Sequence, residues 1–445
     1  MKISVIGLGK LGAPLAAVFA SKGYQVIGTD VNPDAVAAIN AGRAPVDEPG
    51  LQHLIDQSRS RLSATDDAVS AVSGTDATFI IVPTPSDATG QFSNEYALRA
   101  MATVGQGLQR KEGYHLVVMT STVMPGAMGG ELRTSLERHS GRTVGDSLGF
   151  CYNPEFIALG SVVRDMLRPD MILIGESDAR AGELLEGIYR KSCDNEPSIR
   201  RMNFVNAELT KISVNTFVTT KISYANMLAD ICDRLPGADV DVVTRAVGAD
   251  SRVGAKYLKG ATGYGGPCFP RDNVAFAALA RSLGANPDLA EATDRINQYQ
   301  IERVMGAVLA RIEGKGPVGI LGLSYKPDTA VIEESQGVAL AERLLDEGHA
   351  VIGYDPKALS AADTKLRGRM RLAASAEDCI RAADLVVVMT PWPEFSRISA
   401  DAFVKPGRRM TAIDCWRVLP AEPLKTVADL VYVGKGGYPV AAGIV

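Results

Sequence analysis

Short apolar runs alternate with helical patterns through the first part of the chain. Residues 2–7 form the first apolar run, an alanine-rich helical segment follows, and a second apolar run ends at Asp30. Further runs lie at 77–83, 115–122 and 171–175. Buried strands that alternate with helices predict a parallel sheet covered by helices on both faces.

The pattern changes near Phe204. About 30 residues follow without Gly or Pro, which predicts one helix long enough to bridge domains or to form a dimer interface. Helical patterns continue to about Gln300, and strand–helix alternation resumes at 317–329. We therefore predict two doubly wound, Rossmann-like α/β domains joined by a helical middle domain, with limits at 1–200, 201–300 and 301–445.

Composition excludes several classes of function. The 445 residues carry a formal net charge of −4, which gives no electrostatic case for binding nucleic acid. Apolar runs fall short of the roughly 18–20 residues of a membrane span, so we expect a cytoplasmic protein without a membrane partner. The six cysteines form no CxxC pairs and the four histidines have no ligand spacing, so we expect no metal.

A glycine-rich loop separates the first strand from the first helix. Residues 7–12 read GLGKLG, and we assign Gly7, Gly9, Leu11 and Gly12 to cofactor binding. Gly7 permits a tight turn, Gly9 lets the backbone approach a pyrophosphate, and Gly12 allows close packing of helix on strand. Asp30 ends the second strand, where a carboxylate binds ribose hydroxyls and repels a 2′-phosphate. These features predict NAD rather than NADP, with FAD possible on the motif alone.

A second loop, GYGGPCFPRD at 263–272, contains one cysteine. Gly265 and its neighbour free the backbone to approach a ligand, and Arg271 places positive charge near Cys268. Asp272 shares the site if a helix starts at Pro270. The loop alone is equally consistent with a reactive thiol and with a structural turn around a buried cysteine.

Three polar residues of the long helix support the reactive thiol. Glu208, Lys211 and Asn215 are spaced i, i+3 and i+7, so they lie on one helical face. Such a stripe is usually solvated, but this one runs beside apolar residues of a helix that the pattern predicts to be buried. Lys221 and Asn226 extend the stripe, and we expect no special role for them.

Together these motifs identify a resemblance to a known family. The segments IGLGKLGAPLA, DEPGL, VPTPSD, TSTVMPG, NPEF, AELTKISVNTF, RVGAKYL, GYGGPCFPRD and SYKPDT occur in the order typical of the UDP-glucose/GDP-mannose dehydrogenases. The resemblance covers almost the whole chain. It implies oxidation of a nucleotide sugar's C6 alcohol to a carboxylate with two NAD.

The resemblance also implies roles for particular residues. Cys268 attacks the aldehyde formed by the first oxidation, and the thiohemiacetal becomes a thioester that water hydrolyses. Lys211 and Asn215 stabilise the oxyanion, with Lys211 also a candidate base, whereas protons pass through Asp272, Thr122 and Glu155. Each of these residues matches the family pattern.

Other residues are assigned by resemblance to the two ligands. Thr84, Thr122 and Arg271 contact the cofactor. The nucleotide sugar is bound by Glu155, Lys211, Asn215, Arg252, Tyr257, Gly265, Lys326 and Arg417. Because the family residue equivalent to Arg252 reaches across a dimer interface, the resemblance implies a homodimer or a higher homo-oligomer.

Three positions depart from the family pattern. Leu159 replaces a glutamate, Glu333 takes the place of a basic cofactor contact, and Ala35 replaces a basic residue after Asp30. A carboxylate in place of a phosphate-binding cation would cost on the order of 1–3 kcal/mol of binding. The resemblance therefore implies an active enzyme with an unusual cofactor pocket.

Several functions remain open on the sequence. UDP-glucose is the leading substrate, and GDP-mannose or another UDP-hexose is the alternative. A hydroxy-acid dehydrogenase would use the lysine–asparagine stripe but would not need Cys268. A non-catalytic nucleotide-sugar binder on this fold would explain the departures at Leu159 and Glu333.

Overall fold

The structure is a computed structural model that describes residues 1–436. The chain divides after Ser213 into two compact units. The three domains predicted from the sequence are a finer division that stays a prediction, and the last nine residues of the predicted third domain lie outside the described range. Among residues 1–436, no helix is long and apolar enough to cross a membrane.

The first unit contains an eight-stranded sheet in the order β3-β2-β1-β4-β5-β6-β7-β8. Neighbouring strands pair in parallel, except that β6 and β7 are antiparallel. The order reverses between β1 and β4, and ligands of doubly wound sheets bind at such a switch point. The strands are β1 (Lys2–Ile6), β2 (Gln25–Thr29), β3 (Leu62–Thr65), β4 (Ala77–Ile80), β5 (His115–Met119), β6 (Leu148–Tyr152), β7 (Met171–Glu176) and β8 (Ser198–Met202).

Helices cover both faces of this sheet and bury two separate apolar cores. One core includes Phe19 and Ile55, and the other includes Met101 and Leu136. The helices are α1 (Gly12–Ser21), α2 (Pro33–Asn40), α3 (Leu51–Ser58), α4 (Ala68–Ser73), α5 (Glu95–Gln109), α6 (Arg133–Ser140), α7 (Val162–Leu167) and α8 (Ala179–Ser192). The alternation of apolar runs and helical patterns in the sequence therefore reflects a sheet covered by helices on both faces, as predicted.

The middle of the chain is helical. The predicted long helix is confirmed as α9 (Phe204–Arg234), which has 31 residues, starts in the first unit and ends in the second. It is followed by α10 (Val240–Ala249), α11 (Phe269–Ser282) and α12 (Asp288–Leu309). An irregular segment between α10 and α11 contains the glycine-rich stretch that leads to Cys268.

The second unit ends in a six-stranded, wholly parallel sheet in the order β11-β10-β9-β12-β13-β14. Its strands are β9 (Val318–Leu321), β10 (Val351–Tyr354), β11 (Arg371–Leu372), β12 (Leu385–Val388), β13 (Met410–Asp414) and β14 (Ala428–Tyr432). Its helices are α13 (Gln336–Asp346), α14 (Leu359–Leu366), α15 (Ala376–Ala382) and α16 (Ala421–Leu424). The predicted fold class, two doubly wound α/β sheets with a helical middle region, is confirmed.

Candidate active site

The glycine loop after β1 has the geometry that a dinucleotide requires. Gly7 has φ +96°, and a Cβ there would lie 2.0 Å from the Ile81 carbonyl oxygen. A Cβ on Gly12 would lie 1.8 Å from the Gly7 oxygen, whereas one on Gly9 would meet nothing within 4 Å. Leu11 precedes α1, and within the described chain no side chain caps that helix. Its N-terminal N–H groups therefore suit a phosphate.

Asp30 lies directly after β2 and accepts two backbone hydrogen bonds. Its Oδ2 accepts from Leu8 N at 2.6 Å, and its Oδ1 accepts from Asn32 N at 2.8 Å. Each carboxylate oxygen has a second lone pair, and the residue is partly exposed. The carboxylate can therefore also accept from the two hydroxyls of a ribose.

Two threonines meet at the carboxyl ends of β4 and β5. The Thr84 hydroxyl donates to the Thr122 carbonyl at 2.8 Å, and Thr84 is buried while Thr122 is partly exposed. Both follow neighbouring strands next to the switch point. This hydrogen bond fixes the loop that carries Thr122 beside the end of β4. Strand β4 pairs with β1, which leads into the glycine loop.

Glu155 and Lys211 lie together in the first unit. The Lys211 Nζ donates to the Glu155 carbonyl at 2.6 Å and lies 4.6 Å from the centroid of the Phe156 ring. The Tyr189 hydroxyl lies 3.3 Å from Glu155 Oε1. Burial raises the pKa of Glu155 to about 7, against the opposing effects of the Tyr189 hydrogen bond and the Lys211 charge. A carboxyl group of this pKa can exchange protons near neutral pH.

Cys268 occupies the N-cap position of α11. It is exposed, whereas the other five cysteines are buried or partly buried. Pro270 in the first turn fits the start of a helix, because proline lacks the N–H that has no intrahelical acceptor there. A helix N-terminus stabilises a thiolate through its dipole and N–H groups. This location supports the reactive thiol over the buried structural cysteine.

A polar network lies one turn into α11. The Asn215 Nδ2 donates to Asp272 Oδ2 at 2.6 Å, and the Arg271 Nη2 lies 3.1 Å from Asp272 Oδ1. Asp272 is fully buried and its backbone N–H donates to the Cys268 carbonyl at 2.8 Å. The second unit thus brings together four of the predicted residues, Cys268 included.

The glycines before Cys268 are needed because the segment after β9 packs against them. A Cβ on Gly265 would lie 2.2 Å from the Glu334 carbonyl oxygen, and one on Gly266 would lie 2.6 Å from the Tyr325 ring. The Gly266 N–H also donates to the Glu333 carbonyl at 2.9 Å. Burial, and to a lesser extent Cys268 and Glu333, raises the pKa of Tyr325 well above its ordinary value.

The same loop is held from α9 and α12 by residues that the sequence did not single out for function. The Asn226 side chain accepts from Ala261 N and donates to the Thr262 carbonyl. Asn297 pairs in the same way with the N–H and carbonyl of Tyr264. Asn226 belonged to the polar stripe, but its partners lie more than 30 residues away, so no local spacing indicates them.

The predicted substrate residues are less uniform in their surroundings. Arg252 is exposed and pairs with Asp250, and Tyr257 has φ 66° and lies edge-on to the Phe269 ring. The Lys326 Nζ lies 5.9 Å from the Tyr325 ring centroid. By contrast, the Arg417 side chain is only 6% exposed.

All five N–H groups of the Arg417 guanidinium donate within the second unit. They donate to both carboxylate oxygens of Asp241 and to the carbonyls of Gly260, Cys415 and Val433. A guanidinium has five N–H donors, so this one has none left for a ligand. The arrangement supports a structural role, and the predicted substrate contact of Arg417 stays a prediction without support from this geometry.

The three departures from the family pattern lie in different surroundings. Leu159 packs against the apolar core of the first unit that contains Phe19, and Ala35 is buried in α2. Glu333 is exposed and contributes its backbone carbonyl to Gly266. Among residues 1–436, no group of three or more His, Cys, Asp or Glu side chains could hold a metal ion.

Comparisons with known proteins agree with this geometry. Three family models match in succession: the UDP-glucose/GDP-mannose dehydrogenase NAD binding domain at 1–193, the central domain at 205–299 and the UDP binding domain at 319–421. The first match confirms NAD as the cofactor, which the glycine loop and Asp30 fit.

Individual relatives span nearly the whole chain. A UDP-glucose 6-dehydrogenase of Haloferax volcanii is 38% identical over 405 residues, 89% of this chain and 93% of the relative. A GDP-mannose 6-dehydrogenase of Pseudomonas aeruginosa is 34% identical over 359 residues, 80% of this chain and 81% of the relative. The solved UDP-glucose dehydrogenase of Pyrobaculum islandicum has a TM-score of 0.88, 34% identity and 98% coverage of both chains. The chain belongs to the UDP-glucose/GDP-mannose dehydrogenase family.

Proposed function

We propose that this protein oxidises the C6 alcohol of UDP-glucose to the carboxylate of UDP-glucuronate, with two NAD per sugar. The observation that carries the proposal is the exposed Cys268 at the start of α11, one turn from the Asn215–Asp272–Arg271 network. Family membership sets aside the hydroxy-acid dehydrogenase alternative, which has no use for such a thiol.

The first unit holds the cofactor. The backbone around Gly7, Gly9 and Gly12 and the N-terminus of α1 bind the pyrophosphate, and Asp30 accepts from the ribose hydroxyls. Thr84, Thr122 and Arg271 are the other proposed cofactor contacts, by resemblance to the family. NAD, when bound, accepts one hydride in each of the two oxidations.

Cys268 retains the substrate between the two oxidations. Its thiolate attacks the carbon of the C6 aldehyde, and the carbonyl oxygen takes up a proton to give a thiohemiacetal. Loss of that proton and of a hydride leaves a thioester. Water then attacks the thioester, the carbon–sulfur bond breaks, and the carboxylate leaves with the thiolate restored, while the two protons of the water pass to the proton-transfer residues and to solvent.

The remaining polar residues act on the oxyanion and on protons. Asn215 and Lys211 donate to the developing oxyanion, as an amide and an ammonium can. Asp272, Thr122 and Glu155 handle protons, and a Glu155 pKa of about 7 suits this role. Arg252, Tyr257, Gly265 and Lys326 bind the nucleotide sugar.

GDP-mannose is the second candidate substrate, because the Pseudomonas aeruginosa relative that is 34% identical is a GDP-mannose 6-dehydrogenase. UDP-glucose is preferred because the match to the Haloferax volcanii enzyme is both longer and more identical than the match to the GDP-mannose enzyme.

The test is to incubate the protein with excess NAD and a limiting amount of each sugar nucleotide, and to count the NADH formed. Two NADH per UDP-glucose are expected, and Cys268→Ala should not complete the second oxidation. Cys193→Ala, a partly buried cysteine of the first unit, is the control and should behave as wild type. One NADH per sugar would remove Cys268 from the mechanism. No NADH, with the sugar nucleotide still bound, would favour the non-catalytic binder.

A homodimer formed through α9 is also part of the proposal. Phe217, Tyr224 and Ile231, spaced by seven residues, are 64%, 44% and 45% exposed on that helix. An exposed apolar stripe of this spacing is typical of helix–helix association. Light scattering should give twice the chain mass, and Phe217→Glu should reduce it to one chain mass. An unchanged mass in the variant would place the interface elsewhere.

A further inference from the structure

Two buried carboxylates of the first unit have no part in the chemistry described above. Glu208 is the first residue of the polar stripe on α9, and Glu48 belongs to the DEPGL motif. Glu208 is fully buried and Glu48 is 8% exposed. Burying a carboxylate is costly unless its oxygens accept hydrogen bonds, so the partners of each indicate what it does.

The two carboxylates bind the backbone in the same way. Glu208 accepts from Gly126 N and from Met128 N, each at 2.7 Å. Glu48 accepts from Gly160 N at 3.0 Å and from Val162 N at 2.7 Å. In both cases one oxygen binds the N–H of a glycine and the other binds the N–H two residues later. We call each arrangement a carboxylate clasp.

The clasp of Glu208 closes the loop that follows β5 and carries Thr122. The near end of that loop is held by the Thr84 hydroxyl on the Thr122 carbonyl at 2.8 Å. Ser121 Oγ also donates to the Val82 carbonyl and accepts from Val82 N. The loop is therefore held at both ends.

The clasp of Glu48 closes the loop that follows β6 and carries Glu155. The near end of this second loop is held by the Lys211 Nζ on the Glu155 carbonyl at 2.6 Å. The two clasps share neither a residue nor a loop, so each can be removed without direct effect on the other.

We propose that Glu208 and Glu48 are positioning residues, which independently fix Thr122 on the cofactor side and Glu155 on the proton-transfer side. The inference rests on the proposed roles of Thr122 and Glu155. Burial raises the pKa of Glu208, and the two N–H donors oppose that rise. Glutamine has the same shape but directs an NH₂ group at one of the two backbone N–H groups, which breaks the clasp.

The test uses Glu208→Gln, Glu48→Gln and, as a matched control, Glu183→Gln at an exposed position of α8. Hydrogen exchange is measured over residues 121–128 and 156–162, together with the NAD dissociation constant and the kcat and KM for UDP-glucose. Glu208→Gln should accelerate exchange only at 121–128 and weaken NAD binding roughly tenfold. Glu48→Gln should accelerate exchange only at 156–162 and lower kcat roughly tenfold, with NAD binding unchanged.

The crossed design separates positioning from general destabilisation. Acceleration of both loops in either variant, or altered kinetics without a change in exchange, would overturn the proposal. If a glutamine variant does not fold, the aspartate variant, which keeps the charge but shortens the reach, should give the same local pattern. Exchange and NAD binding need no turnover, so they report on the clasps even if wild-type protein does not oxidise UDP-glucose.

Discussion

The two Rossmann-like halves of this protein share the turn after their first strand, but they differ in whether the aspartate beside that turn is available to a ligand. Gly7 and Gly322 have φ +96° and +97°, and each opens the loop after the first strand of its sheet. Asp30 and Asp355 follow the second strand, and each accepts from the N–H of the leucine after that glycine, Leu8 at 2.6 Å and Leu323 at 2.8 Å.

The helix that follows each turn also begins with the same contact. A Cβ on Gly12 would lie 1.8 Å from the Gly7 oxygen, and a Cβ on Gly337 would lie 2.2 Å from the Gly322 oxygen. Gly12 comes five positions after Gly7, but Gly337 comes fifteen after Gly322. The longer loop contains the segment that packs on Gly265 and Gly266.

The two aspartates differ most. Asp30 is partly exposed and accepts from two backbone N–H groups. Asp355 is 2% exposed and has six donors, of which the Trp392 Nε1 and the Ser324 hydroxyl are side chains. The aspartate at this position is therefore available to a ribose in the first half, whereas in the second half all of its hydrogen-bonding capacity serves the fold.

Substitution at the shared glycine contact should have the strongest consequence. Gly12→Val should abolish NAD binding, at least a hundredfold loss, because its side chain cannot fit against the Gly7 oxygen without displacing α1 from the loop. Gly337→Val should lower the free energy of unfolding about as much as Gly12→Val does, but it should leave the NAD affinity unchanged. Calorimetric NAD titration and thermal unfolding measure both. Gly187→Ala, at an exposed position of α8 where a Cβ would meet nothing within 4 Å, is the control, and unchanged NAD binding in Gly12→Val would disprove the shared role.

Asp355→Asn should lower the free energy of unfolding by about 2–4 kcal/mol, because an amide cannot accept from all six donors and buried donors are left unpaired. NAD affinity should not change. Urea denaturation with and without NAD measures the two quantities. A variant as stable as wild type would mean that the Asp355 donors relax to other acceptors, and the contrast between the halves would be lost.

Asp30→Asn should weaken NAD binding roughly tenfold and change the free energy of unfolding by less than about 1 kcal/mol. The charge is the part that matters for the ribose, and it also repels a 2′-phosphate, so NADP binding should improve relative to NAD. Titration with both dinucleotides is the measurement. If Asp30→Asn instead costs as much stability as Asp355→Asn, the two carboxylates have the same role.

The smallest effect is on the pH dependence of stability and concerns Glu155. This carboxylate lies near the Tyr189 hydroxyl, whereas Asp355 accepts from six donors. Its pKa of about 7 in the folded protein exceeds the ordinary value of 4.5. Between these pH values the unfolded chain releases a proton that the folded chain keeps, so stability falls as pH rises from about 4.5 to 7. Glu155→Gln should remove this slope. A shift from 4.5 to about 7 corresponds to roughly 3 kcal/mol in full, and solvent screening of the partly exposed side chain reduces the expected effect to the order of 1 kcal/mol. Urea midpoints at pH 5 and pH 8 test it, and an identical slope in the variant would contradict the assignment.

Much of the fold was predictable because buried strands leave continuous apolar runs. The runs at 77–83, 115–122 and 171–175 contain β4, β5 and β7, and the run without Gly or Pro is α9. The edge strands β8 and β11 are partly or fully exposed and carry arginines, so they leave no such run. These two strands could not be predicted from apolar runs, because their position at the edge of a sheet is defined only once the sheet has assembled.

The glycine loop with its Asp30, the long helix and the cysteine loop follow from the amino-acid order alone, because each depends on local spacing or on backbone freedom at particular glycines. Three other features become visible only in the folded chain: Asp355 is saturated by six donors, Arg417 has no donor left, and Glu208 and Glu48 clasp two loops. The physical reason is the same in each case. A hydrogen bond is set by the distance between groups in space, and the partners here are brought together by sheets and helices from positions up to 176 residues apart.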